Sequence, residues 1–133
     1  MVSVRKHIKL KKSLHTVIEE NPLIIRIESS AGEFAEVEDI LAMRKANLEL
    51  SKGGLYYVLL DTSNGFASAS PEANKLLAGK EFSENRGGIA IIARSLATKI
   101  VSNFFVRFNK PISPTKMFIS EAEAIDWLKN LAK

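Results

Sequence analysis

The chain of 133 residues contains no cysteine. Disulfides, thiolate zinc sites and cysteine nucleophiles are therefore excluded, and the composition suits a reducing cytoplasm. Histidine is scarce: His7 and His15 are the two present. Both fall in early strand-like segments with no serine or acid at motif spacing, so they read as ordinary surface or edge residues. No HExxH, GxSxG or GxxxxGK[ST] string occurs, and the glycine pairs at 53–54 and 87–88 lack phosphate-loop surroundings. Without a convergent nucleophile, base and acid, the expectation is a protein that is not an enzyme and carries no cofactor or metal. No run approaches the ~18 apolar residues of a membrane-spanning helix. The charged stretch 1–12 does not read as a signal peptide.

Acidic residues are missing from one place in particular. Residues 1–12 carry Arg5, Lys6, Lys9, Lys11 and Lys12 with no acid, a charge of +5. The remaining residues balance to −1, with 14 basic and 15 acidic side chains. The basicity thus belongs to one segment and is not the broad surface of a nucleic-acid binder. Lysines on an exposed outer strand also discourage edge-to-edge pairing.

What is present is a regular alternation of elements. Val4, Ile8 and Leu10 alternate with Arg5, His7, Lys9 and Lys11, a half-buried strand with a basic outer face. Strands are expected over 14–20 and 23–28, separated by the turn dipeptide Asn21-Pro22. A helix is expected over 33–51, burying Phe34, Val37, Leu41 and Leu48 and ending at Gly53-Gly54. Tyr56 to Asp61 and Gly88 to Ala93 are nearly continuous apolar runs, the pattern of strands buried on both faces. Ser70-Pro71 reads as an N-cap followed by proline at the first helical position. Ser95 to Phe108 is helical and stops at Asn109-Lys110-Pro111. A strand over 116–119 leads into a last helix capped by Ser120 and Glu123 and carrying Ile125, Leu128 and Leu131. The order predicts an α/β fold in one domain over 1–133: a mixed, largely parallel sheet with an N-terminal hairpin and about four helices.

The string Ala93-Arg94-Ser95, Asn103-Phe104-Phe105, Asn109-Lys110-Pro111, Pro114-Thr115-Lys116, Phe118, then Glu121 to Ala124 and Trp127-Leu128 resembles the small bacterial proteins of the STAS-like superfamily, those with SpoIIAA-like or STAS/SEC14-type domains. The resemblance covers residues 14–133 and implies a SpoIIAA-like α/β sandwich. It implies a non-enzymatic interaction or regulatory role with a protein partner or a second copy. The SEC14 association adds an alternative, a carrier of a small apolar or lipid-like ligand.

Two regions are candidates for that role. Loops at the carboxyl ends of parallel strands are where open α/β sheets bind ligands. Here that loop runs from Asp61 to Ser70 and includes Ser63 and Ser68. In STAS-domain anti-sigma-factor antagonists, the phosphorylated serine lies nine residues beyond the strand-ending Asp, which corresponds to Ser70. Their flanking Asp and Ser-Gly are replaced by Ala69, Pro71 and Glu72, so the N-cap reading of Ser70 is favoured. The second region is the helix from Ser95. Leu96, Ile100, Phe104, Phe108, Val101 and Phe105 spread over an arc of ~180°, wider than the ≳100° stripe one sheet contact needs. Phe104 is expected in the core, and Val101 with Phe105 at the arc's edge is expected to face a partner subunit or an apolar ligand.

Overall fold

The computed structural model describes residues 6–29, 34–63 and 68–133. Three strands open the chain: β1 (His7–Lys9), β2 (Ser13–Glu20) and β3 (Leu23–Ser29). They pair as antiparallel neighbours, and the Asn21-Pro22 turn joins the last two. After β3 the chain enters β4 (Phe34–Ala35), α1 (Val37–Leu50), β5 (Tyr56–Asp61) and β6 (Ser68–Ala69). Helices α2 (Pro71–Ala78) and α3 (Lys80–Ser83) lead to β7 (Arg86–Ile92), and α4 (Leu96–Phe104) leads to β8 (Thr115–Phe118) and α5 (Glu121–Leu131). The main sheet has the order β1-β2-β3-β5-β7-β8, parallel from β3 to β8. The short β4 and β6 form a separate parallel pair.

The alternating side chains of the central strands divide the interior in two. On one face Ile25, Ile27, Tyr56, Val58, Ile89 and Ile91 pack toward α1. On the other, Ile24, Tyr57, Leu59, Ala90 and Ile92 pack against Ala124 and Leu128 of α5. Both apolar runs are interior strands, as their sequence requires: Leu59 and Ala90 are fully buried. The second and third residues of β7 are glycines that lie close against side chains. A Cβ on Gly87 would lie 2.4 Å from the Tyr57 ring, and one on Gly88 would lie 2.6 Å from Leu131.

Helix α1 begins later than its hydrophobic pattern suggests. Glu36 is its N-cap, with the Asp39 carboxylate accepting from the Glu36 N–H at 2.8 Å. This frees Phe34 and Ala35 to pair with β6. The buried stripe differs in part: Leu48 packs on the core as expected, and Ile40, Ala46 and Asn47 face inward, whereas Phe34, Val37 and Leu41 are exposed. The shift has a physical reason. Asn47 is a polar residue on the inner face, so apolar counting selects the wrong side. At its end, Gly53 adopts φ +76° and returns its N–H to the Leu48 carbonyl at 2.8 Å, as a helix-terminating glycine does.

The helix from Ser95 is inverted in the same way. Its α-helical part stops at Phe104, and Phe105–Asn109 continues as a single π-helical turn that Lys110 ends at φ 48°. Thr98, Ser102 and Phe105 face inward, whereas Leu96, Ile100, Phe104 and Phe108 form an outer stripe. Phe104, expected in the core, is 55% exposed, and Phe105, expected at the surface, is 7% exposed. Thr98 and Ser102 explain the inversion. They are small, and Thr98 returns its hydroxyl to the Ser95 carbonyl at 3.0 Å, so this polar side is satisfied locally and can turn inward.

Candidate ligand cavity

The core under α1 is not completely filled. A half-enclosed cavity of about 240 Å³ lies between the sheet and helices α1, α2, α3 and α4. Its walls are mostly apolar: Ile27, Val58, Leu60 and Ile91 from the sheet, Met43 from α1, and Phe105 from the π-helical turn. Protein interiors seldom contain voids much larger than one water, so a space of this size is a feature to account for.

Polar groups gather at the end of the cavity where β5 and β7 begin. Tyr56 and Arg86 are register partners there, both buried. Burial lowers the Arg86 guanidinium to about 10; Tyr56 opposes that shift and the nearby Arg44 guanidinium adds to it. Arg86 therefore remains charged at neutral pH. Its Nε donates to Ser113 Oγ at 3.1 Å, and its Nη2 donates to the Leu77 carbonyl at 2.8 Å and to Ser83 Oγ at 3.4 Å. These partners are neutral. Arg44 lies over the Phe82 ring at 5.3 Å and donates Nη2 to the Glu81 carbonyl, leaving its buried Nε without a partner. Burial pushes the Tyr56 phenol up, opposed by Arg86, the Asn47 side chain and Arg44.

Asn47 links this end to a fixed polar row. Its Oδ1 accepts from His15 Nδ1 at 2.7 Å, which leaves His15 Nε2 to accept from Ser13 Oγ at 2.8 Å. His15 is fully buried, contrary to the expected surface position, because both ring nitrogens have partners in the interior. Burial lowers its pKa against the opposing Asn47 bond, so the ring is neutral at pH 7. His7 is exposed on the edge strand β1.

The candidate loop residues are in a different place. Asp61 and Arg26 point to the α5 side of the sheet, where Arg26 pairs with Asp61, Glu28 and, at 2.7 Å, Glu121. The Ser63 N–H donates to Asp61 Oδ1 at 2.8 Å, and Arg94 donates to the Ser63 hydroxyl. Burial alone would raise the Asp61 carboxyl, but Ser63, Arg26 and Arg94 together hold it below the usual range. This is a closed ionic network at the carboxyl ends of the strands. Ser70 is buried and caps α2, accepting from Ala73 N–H at 3.1 Å, while its own N–H donates to Ala35. Ser68 lies in β6; its side chain and residues 64–67 lie outside the described residues.

A family model described as "Domain of unknown function (DUF7793)" matches residues 16–132. The chain belongs to that family. Among curated proteins, none matches its sequence. Among solved structures, it is similar to an uncharacterized protein of the DUF3478 family with a SpoIIAA-like fold from Shewanella loihica PV-4. The two are 18% identical with a TM-score of 0.62, covering 96% of this chain and 99% of the other. The fold is therefore SpoIIAA-like. No helix among the described residues is long and apolar enough to cross a membrane.

The structure thus separates the residues that the sequence nominated. Asp61 and Ser63 share one network, Ser70 caps a helix beneath the β4–β6 pair, and Val101 and Phe105 line the cavity. Phe105 is too buried to form an exposed subunit interface. Arg86, Arg44, Tyr56 and Asn47 were not nominated. The available signal was Arg86 itself, a charge two residues before the apolar run from Gly88.

Proposed function

We propose that this domain is a non-enzymatic binding module whose ligand is a small, largely apolar molecule held between the sheet and α1, α2 and α4. The carrying observation is the 240 Å³ cavity. A mostly apolar space of that size leaves its lining side chains short of packing partners. A ligand that fills the space recovers dispersion and burial energy without rearranging the fold. Supporting the non-enzymatic part, His15 has both ring nitrogens committed and Ser70 spends its hydroxyl on a helix cap. Neither is free to act as base or nucleophile.

Native mass spectrometry of gently purified protein tests this reading. Wild-type protein should carry a small-molecule adduct, or take one up from 1-octanol. Val101→Phe, which projects bulk into the cavity from half-buried α4, should fold and carry none. Wild-type protein that neither retains nor takes up an apolar molecule would contradict the proposal.

A second reading rests on the outer stripe of α4. Leu96, Ile100, Phe104 and Phe108 are all more than half exposed, and Phe104 stacks on Phe108 with centroids 4.8 Å apart. Exposed apolar rows of this kind mark interaction surfaces. Between Glu84 and Glu121 the chain has, besides the buried Arg86, five basic residues and no acid. That charge favours an acidic protein partner over a second copy, which would bring like charges together. Light scattering should accordingly give a monomer; a dimer dissociated by Phe104→Glu would instead assign the stripe to self-association.

A further inference from the structure

The cavity is apolar along its length but strongly cationic in its ionisable residues. Among the described lining residues are four basic side chains, Lys11, Lys12, Arg44 and Arg86, and one carboxylate, Asp39. Asp39 is already engaged, at 2.8 Å from Lys12 Nζ and 2.8 Å from the Glu36 N–H. That leaves the two arginines at the other end. Arg86 is 5% exposed and has no carboxylate partner among the described residues. Three of its donor contacts go to neutral oxygens, and its Nη1 has no protein partner among the described residues. Arg44 lines the same cavity and gives one described hydrogen bond, from Nη2 to the Glu81 carbonyl.

A buried charge without a counter-ion is costly, and natural interiors pair such charges. Two guanidiniums lining one space, Arg86 with its Nη1 unused, match a planar or tetrahedral anion, which accepts several N–H bonds at once. We propose that the ligand is an acid with an apolar body: a carboxylate or phosphate group bound by Arg86 and Arg44 beside Tyr56, with its hydrocarbon lying against Ile27, Val58, Leu60 and Phe105. The inference rests on the ligand-binding reading given above and adds the charge, orientation and size of the ligand. The volume is equivalent to about eight waters at ~30 Å³ each, so the body is short: a medium-length chain or a single ring.

Calorimetric titration of the 133-residue chain with octanoate, octyl phosphate and 1-octanol tests this directly. The three share one chain and differ in the head group. Wild-type protein should bind at least one of the acids about ten- to a hundredfold more tightly than the alcohol, the worth of one or two charge-assisted hydrogen bonds. Whichever acid binds more tightly identifies the head group. Arg86→Gln should erase that preference while retaining 1-octanol binding. If loss of the Ser113 and Leu77 contacts unfolds that variant, Arg44→Gln provides the second test, since Arg44 gives one backbone bond and is only half-buried. It should weaken binding of the preferred acid more than binding of 1-octanol and so reduce the preference. Equal binding of acids and alcohol by wild-type protein, or a preference that survives both substitutions, would overturn the anionic head group and leave the cavity reading standing. Binding of none of the three would remove both.

Discussion

At the scale of single residues, polar side chains in the interior are the least expected feature of this protein. His15 is fully buried between Ser13 and Asn47, and its pKa is lowered mainly by burial. The unfolded chain, with an ordinary histidine near 6.5, therefore binds protons that the folded chain refuses. Stability contributed by neutral His15 is present above that value and is lost as pH falls below it. Chemical denaturation at a series of pH values should show stability declining from about pH 6.5 downward, above the carboxylate range. His15→Gln should flatten that segment of the profile; an unchanged slope would assign it to another group. Ser70 gives a second residue-level expectation. Ser70→Ala removes the hydroxyl that accepts from Ala73 and should cost ~0.5–2 kcal/mol. Stoichiometric phosphoserine at 70 in protein from its native host would assign the residue a signalling role instead. Ser70 was readable in sequence because caps obey local rules. His15 and Arg86 were not, because the partners that justify burying them lie at positions 47 and 113.

At the scale of elements, strands were legible and helix faces were not. The Tyr56–Asp61 run is apolar at nearly every position, so its burial on both faces needs no choice of side. A helix requires such a choice, and apolar counting misplaced most of the α1 face, Leu48 excepted, and the α4 face for one reason. Each turns a stripe containing small or amide side chains inward: Ala46 and Asn47 in α1, Thr98 and Ser102 in α4. In α4 the contrast is testable within one pair of neighbours. Phe105→Ala should destabilise by ~3–5 kcal/mol, as for a buried phenylalanine. Phe104→Ala, at an exposed position, should stay within about 0.5 kcal/mol. Thermal unfolding that ranks the two in the opposite order would restore the face read from sequence.

At the scale of the whole molecule, the β-β-β then α/β alternation carried the architecture. Parallel strands require crossovers, and helices filling those crossovers leave few arrangements open. The sheet order β1-β2-β3-β5-β7-β8 follows from that constraint. The cavity does not, because a void reflects how completely side chains from distant elements fill a shared space. Its walls come from β3, β5, β7, α1, α2, α3, α4 and the π-helical turn, and no local pattern reports their fit. Methyl-resolved NMR titration with the neutral probe 1-octanol shows whether this space takes up a ligand. Saturable shifts are expected at the methyl groups of Ile27, Val58, Leu60 and Ile91, with Ile24, Leu59 and Ile92 on the α5 face unmoved. Equal shifts on both faces, or none at the first four residues, would contradict the ligand-binding proposal.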